Sequence, residues 1–277
     1  VKAQTNPRPI KIAVLDFSET STGKLASEKV ATTLRSIPSL SVVDRDLARA
    51  AALGAHYTGS LNLELSAARD LGAAIGCDFF VLGESQTVRR SPSTGSVYFE
   101  SYAAAFLVSA RSGKLIAWER PNVKDSTSTG AERLLLDLLG KDETRQRYLI
   151  ALQKAQEDER HEREVAVARD TPVIEEGSDE SDNDKRNFRP PRPYRRLRPI
   201  YPESAAVADA EGTVDVLVEL DQNGEVKQVE VERWAGFGLD EATVSTVRQL
   251  HFSPAIRDGI AIPIRVLLRY NFRQPAK

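Results

Sequence analysis

Thr213-Val214-Asp215-Val216-Leu217-Val218-Glu219-Leu220 alternates apolar and polar side chains, and Asp221-Gln222-Asn223-Gly224 follows it directly. Val214, Val216, Val218 and Leu220 share one face, while Thr213, Asp215 and Glu219 lie on the other. That is the period-two pattern of a half-buried strand. Asn-Gly accepts positive φ at both positions, which makes it the strongest short hairpin signal. Val226, Val229 and Val231 supply the return strand, and their spacing shifts parity once, which predicts a bulge near Lys227. Leu239 to Leu250 predicts a helix with Leu239, Ala242, Thr243, Val247 and Leu250 inward. His251-Phe252-Ser253-Pro254-Ala255 breaks it, and Asp258-Gly259 turns the chain. In the last predicted strand, Ile262 to Phe272, the residues Ile262, Ile264, Val266, Leu268, Tyr270 and Phe272 face one way. Arg265, Arg269 and Asn271 face the other. At about 3.3 Å per residue this strand is long for a small domain, so it is expected to overhang its neighbours and leave an unpaired edge.

Upstream of this small α+β unit the composition changes. Glu175, Glu176, Asp179, Glu180, Asp182 and Asp184 form an acidic block. Lys185, Arg186, Arg189, Arg192, Arg195, Arg196 and Arg198 form a basic one, interleaved with Pro190, Pro191, Pro193 and Pro199. Proline-rich chain stays extended, at about 3.1 Å per residue. Two readings stand. The stretch is a soluble tether whose opposite blocks attract each other, or a spacer whose basic half touches an acidic surface such as anionic lipid or cell-wall polymer. Residues 131–169 predict a helix: Leu134, Leu135, Leu138 and Leu139 open its apolar face, Gly140 weakens it, and Tyr148, Leu149 and Leu152 resume it. From Gln153 to Glu164 nearly every side chain is polar, which predicts a solvated or frayed helix.

Residues 10–122 alternate strand and helix patterns, which predicts an α/β domain with a mixed sheet and flanking helices. Ile10 to Phe17 is a nearly continuous apolar run, as expected of a strand covered on both faces. Ala26, Val30, Leu34 and Ile37 give a helix from about Lys24, ended by Pro38. Leu40 to Val43 is a short strand, and Asp44 is placed to cap the next helix, through Ala52. Leu61, Leu65, Ala68 and Leu71 predict a helix from Leu61 to Ile75. Asp78 to Gly83 and Val97 to Ala110 predict strands, the second turned by Ser112-Gly113 into Lys114 to Trp118. The expected domains are a tail at 1–9, the α/β domain at 10–122, the helix at 131–169, a disordered charged linker at 170–193 and the C-terminal unit at 194–277.

The 277 residues are enough for two modest domains, and 41% apolar with 28% charged residues fits a folded chain rather than a wholly disordered one. A net charge of −2 offers no basic excess for nucleic acid. No run approaches 18 apolar residues. There is no methionine, even at position 1. Val1-Lys2-Ala3 has small residues at the spacing that signal-peptide cleavage leaves, so export is one expectation and arbitrary trimming the other. The single cysteine, Cys77, lies in an apolar run and reads as a buried small residue; it has no partner for a disulfide or a Cys/His metal set. His56, His161 and His251 have no ligand spacing.

Taken in order, a set of short motifs carries a resemblance. Tyr201-Pro202 comes with Ala205 and Ala206, then Glu211-Gly212-Thr213-Val214, then Asp221 and Asn223-Gly224 with Val226. Gly238-Leu239-Asp240, His251-Phe252-Ser253-Pro254-Ala255 and Asp258-Gly259 follow. About residues 194–273 resemble the TonB C-terminal domain. The resemblance implies a small sheet packed on helices, in the periplasm of a bacterium with two membranes. It also implies capture of a short extended peptide, the TonB box of an outer-membrane receptor, by strand addition to a sheet edge. By that resemblance the edge is formed by Ile262, Ile264, Arg265, Val266, Leu267, Leu268, Arg269 and Tyr270. Tyr201, Pro202 and the basic Arg195, Arg196 and Arg198 before them lie where the family also contacts receptors. As residues alone, Tyr201-Pro202 reads equally as an ordinary turn with a packed ring, and Arg265 and Arg269 as a solvated face. Where TonB has its membrane-anchor helix, this sequence has an α/β domain; coupling to an inner-membrane motor is expected only if such a helix precedes residue 1.

Ile12-Ala13-Val14-Leu15-Asp16-Phe17, Val42-Val43-Asp44-Arg45 and Ala73-Ala74-Ile75-Gly76-Cys77-Asp78-Phe79-Phe80-Val81-Leu82-Gly83 resemble, more loosely, the CsgG-type fold of envelope proteins and the TolB N-terminal domain. CsgG proper has a lipidated N-terminal cysteine and long membrane hairpins, which these residues do not display, so no pore is expected.

Nothing in the sequence assembles a reaction. Gly113-Lys114 lacks the upstream glycine of a phosphate loop, Val108 holding that place. Ser21-Thr22-Gly23-Lys24 has the outline of Ser-x-x-Lys without its partner motifs. Asp16 at a strand end is a lone carboxylate. The expectation is a non-catalytic envelope protein without cofactor or metal, binding a peptide of an outer-membrane receptor or periplasmic partner. The alternative is an assembly or scaffolding protein whose N-terminal domain docks on an envelope machine or forms a homo-oligomer.

Overall fold

Three side-chain caps set where the first helices begin. Thr20 accepts from the Gly23 amide, Asp44 from those of Asp46 and Leu47, and Thr127 from that of Gly130. Each satisfies donors that the first helical turn leaves unpaired. The computed structural model describes residues 8–166 and 187–274, without the side chains of 163–166. Its described residues fall into two units; Asn62–Glu64 groups with the second.

The chain runs β1 (Ile10–Val14), α1 (Ser21–Arg35), β2 (Leu40–Val42), α2 (Arg45–Gly54), β3 (Leu63–Glu64), α3 (Leu65–Ile75), β4 (Phe79–Arg90), β5 (Tyr98–Ser109), β6 (Leu115–Glu119), β7 (Asn122–Asp125), α4 (Ser128–Leu139) and α5 (Asp142–Ala166). All but β3 and the last three residues of α5 build the first unit. Its sheet is ordered β2-β1-β4-β5-β6, with β7 also on β5. β1 pairs with β2 and β4 in parallel, and β5 pairs with β4, β6 and β7 antiparallel, so the sheet is mixed. Val14, Val81, Ala103, Ala105 and Leu107 pack with Val30, Leu34, Leu135, Leu139 and Leu152 in one buried cluster.

The sequence reading needs correction in this unit. The helix expected from Leu61 begins at Leu65, because Leu63–Glu64 is a strand. The helix expected over 131–169 is two helices, parted at Gly140 and Lys141. The polar stretch after Gln153 is a largely exposed helix, as expected, but it touches the core at one point: Ala155 is 3% exposed, and the Ser109 hydroxyl donates to Glu159 at 2.5 Å. β7 has no counterpart among the expected strands.

The second unit comprises β3, β8 (Phe188–Arg189), α6 (Glu203–Ala208), β9 (Gly212–Leu220), β10 (Val226–Trp234), α7 (Leu239–Val247), β11 (Ala255–Arg257), β12 (Ile260–Ile262) and β13 (Ile264–Phe272). Its larger sheet is ordered β13-β9-β10-β3, and its smaller β12-β11-β8. The β9–β10 turn forms where the sequence suggests, but Asn223 does not take the positive φ expected of it, and the loop closes from Asp221 to Glu225. Asp221 Oδ1 accepts from the Asn223 and Glu225 amides at 2.8 and 3.0 Å, and Gly224 takes φ +81°. The register then slips between Val226 and Gln228, which makes Lys227 the bulged residue. Val214, Val216, Val218 and Leu220 are buried on one face, with Leu239 and Val247 also buried.

Two boundaries differ from expectation. Residues 187–193, read as the end of a linker, are bonded to this unit. β8 pairs with β11, Asn187 bonds Asp258, and Ser253 N donates to Arg192 O at 2.8 Å. The acidic block with Lys185 and Arg186 lies outside the described residues. The strand expected from Ile262 to Phe272 is divided at Pro263.

Candidate functional site

β13 pairs antiparallel with β9 over an unbroken register, from Ile264 opposite Leu220 to Phe272 opposite Gly212. It stands last in the sheet, and its outer side has no strand partner among the described residues. In an antiparallel ladder alternate residues turn N–H and C=O toward the partner and the intervening ones turn them away. β13 therefore carries a row of main-chain donors and acceptors along its outer side.

The opposite edge is different. β10 has two register shifts, between Val226 and Gln228 and between Val231 and Arg233, and its end is covered by β3. Trp234 pairs with Leu63, and Arg233 with Glu64. Asn62 fastens this end: its Nδ2 donates to Trp234 O at 2.6 Å and Thr213 O at 2.8 Å, and its Oδ1 accepts from Thr213 N at 3.1 Å.

Alternation along β13 sorts its side chains. Ile264, Val266 and Phe272 are buried, with Leu268 and Tyr270 half-buried between them. Leu267 is 52% exposed on the other face, which it shares with Arg265, Arg269 and Asn271. The two arginines stand opposite carboxylates of β9. Arg269 Nε and Nη2 donate to Asp215 at 2.7 and 2.8 Å, and Arg233 Nε donates to it at 3.2 Å. Asp215 is 3% exposed. The Arg269 guanidinium holds its carboxyl below the usual range, against the pull of burial and with help from Arg233. Arg265 pairs with Glu219 at 3.6 Å.

A groove of about 660 Å³ runs beside the second half of β13, lined by Leu268–Phe272 on one side and Arg195–Pro199 on the other. Arg195, Arg196 and Arg198 are exposed. Tyr201 is an internal fastening: its hydroxyl donates to Ala210 O at 2.6 Å, and its ring centroid is 6.4 Å from that of Phe272. Pro202 is the residue from which α6 starts.

The structure thus gathers Arg195, Arg196 and Arg198 with Leu268, Arg269 and Tyr270 around one groove. Ile264, Arg265, Val266 and Leu267 lie further along the same strand. Ile262 does not join them; it pairs with Ala255 in the β11–β12 hairpin, because Pro263 parts the two strands. Sequence reasoning missed Asn62 and Glu64, which lie far from this unit along the chain. Asp215 and Glu219 had a signal, being acids on the polar face of a strand whose polar arginine partners were also visible.

Residues 198–274 match the family model described as Gram-negative bacterial TonB protein C-terminal. Among solved structures, the chain is similar to the solution NMR structure of the Pseudomonas aeruginosa TonB CTD, with 22% identity over 31% of this chain and 89% of that one, TM-score 0.27. It is also similar to the PelC dodecamer from Paraburkholderia phytofirmans, with 14% identity over 48% of this chain and 84% of that one, TM-score 0.32. A third is the LpoB C-terminal domain from Salmonella enterica, with 11% identity over 44% of this chain and 88% of that one, TM-score 0.31. No curated protein sequence matches the chain. The motif order, the hairpin with its bulge and the family match over 198–274 agree: this stretch is a TonB C-terminal domain.

Proposed function

We propose that this is a non-catalytic envelope protein that captures an extended peptide of an outer-membrane receptor or periplasmic partner as a new strand on β13. The observation that carries this is the unpartnered outer side of β13 among the described residues, in a domain of TonB type. Backbone pairing along such an edge supplies affinity, and alternate side-chain positions supply selectivity. The groove between Leu268–Phe272 and Arg195–Pro199 gives the peptide's flank a place to lie. The expected location is the periplasm or cell envelope of a bacterium with two membranes. Among the described residues no helix is long and apolar enough to cross a membrane.

Hydrogen exchange on the full chain tests this, with peptides copied from the N-terminal segments of outer-membrane receptors as probes. Saturable binding should slow exchange at alternate amides of Ile264–Phe272, those that β9 does not already protect. Of two copies N-methylated at every second residue, one at odd and one at even positions, the copy whose methyl groups face β13 should not bind. Binding indifferent to N-methylation, or protection that avoids β13, would remove the proposed edge.

A further inference from the structure

On the exposed face of the C-terminal sheet, directly paired positions line up in rows across the strands. One row reads Glu64 on β3, Arg233 on β10, Asp215 on β9 and Arg269 on β13. The charges alternate, and every neighbouring pair is joined by an ion pair. The row stops on an arginine at the open edge. A second row reads Gln228, Glu219 and Arg265, and it too stops on an arginine at that edge. Between the two arginines stands Leu267, 52% exposed.

The far end of the first row shows what an added strand places there. β3 is a short strand set against the other edge, and it puts Glu64 directly opposite Arg233. Opposite charges in directly paired positions attract, and like charges there repel. At the β13 edge the next position in each row faces Arg269 or Arg265. Asp215 occupies Nε and Nη2 of Arg269, so N–H groups of its guanidinium remain to donate. The Arg265 side chain is 34% exposed and that of Arg269 57%, so both are reachable.

We infer that the strand captured by β13 carries two carboxylate side chains four residues apart on one face, opposite Arg265 and Arg269, with an apolar residue midway opposite Leu267. This rests on the strand-capture reading and names the chemistry of its partner. The separation is about 13 Å along an extended chain. It is the same whether the guest strand runs parallel or antiparallel, since directly opposed residues share a face in both.

The test uses the full chain and a fluorescein-labelled peptide, Ser-Val-Glu-Thr-Leu-Thr-Glu-Val-Ser, against copies with both Glu changed to Gln or to Lys. Fluorescence anisotropy gives affinities, and hydrogen exchange locates each peptide. The Glu peptide should bind about five- to tenfold tighter than the Gln copy, with the gap closing at high salt, and the Lys copy weakest. Arg265→Gln should shrink the gap; its partner Glu219 is itself partly exposed, so folding should be spared. Arg265→Glu should improve binding of the Lys copy. Equal affinity for the Glu and Gln peptides, with β13 protected by both, would overturn the acid pattern and leave strand capture standing. Failure of all three peptides and of the receptor-derived ones to protect β13 would remove both.

Discussion

The two strands that flank β9, β10 and β13, are equal in length, nine residues each, yet they differ in regularity and in cover. β10 is irregular twice over, holds Lys227 at one irregularity and is capped at its end by β3. β13 keeps register with β9 throughout. Bulges, edge lysines and short covering strands are devices by which proteins blunt an edge. An unbroken strand is what a guest strand needs, since each missed step forfeits a backbone bond. The contrast supports the proposed role of β13 by where edge protection is missing as much as by what is present.

The strongest way to break this contrast is at Trp234, 1% exposed and paired with Leu63. Trp234→Ala removes the largest buried side chain of the blunted edge and should cost about 3–5 kcal/mol, read from the denaturant midpoint. Exchange at Leu63 and Glu64 should rise far more than exchange at the β9–β13 ladder. A uniform rise through both edges would show that the two sides open as one.

The next effect is smaller and depends on pH. Asp240 sits where the chain leaves β10 for α7, and it accepts from the Ala235 and Gly236 amides at 2.8 Å each. Burial raises its carboxyl to about 6, the two amide bonds pulling the other way. A raised folded pKa means that the native state holds the proton more tightly than the unfolded chain. Stability from this group is therefore full below about pH 4 and is lost as pH rises through 6, on the order of 3 kcal/mol. Asp215, lowered by Arg269, works in the opposite sense: its contribution is present at neutral pH and fades in acid. Urea midpoints between pH 4 and 6 should fall for the native chain and flatten in Asp240→Asn. An equal slope in both would assign the fall to another group.

How far these features could be read from sequence follows from how local they are. The Asp221–Gly224 turn and the Lys227 bulge are written in consecutive residues, because turn chemistry and parity are local. Pro263 is equally local, but the alternation of Ile262 with Ile264 masks it and carries the expected strand across a residue that cannot donate to a ladder. Leu63–Glu64 was beyond reach for a different reason. Leu61 and Leu65 fit a helix, and the partner that makes this segment a strand lies at Arg233 and Trp234. Nonlocal pairing leaves no trace in a window of ten or twenty residues. The polar run after Gln153 is the mostly exposed helix its composition suggests; what stays hidden in the sequence is its attachment, through buried Ala155 and through Glu159 and Glu162, whose partners Ser109 and Lys114 lie far away along the chain.

The smallest effect falls on Asn62. Its carboxamide meets three main-chain groups at the ends of β9 and β10. Asn62→Ala leaves them without that partner at a half-buried site, a cost of about 1–3 kcal/mol. The residue lies beside β9 and β10, not on β13, so the outer side of β13 should keep its backbone row. The variant should melt earlier yet bind the receptor-derived peptide within about twofold of the native affinity, a shift below 0.5 kcal/mol. If affinity falls in step with stability, the four strands of the sheet respond as a single body. The blunted edge would then be part of the capture device rather than its protected counterpart.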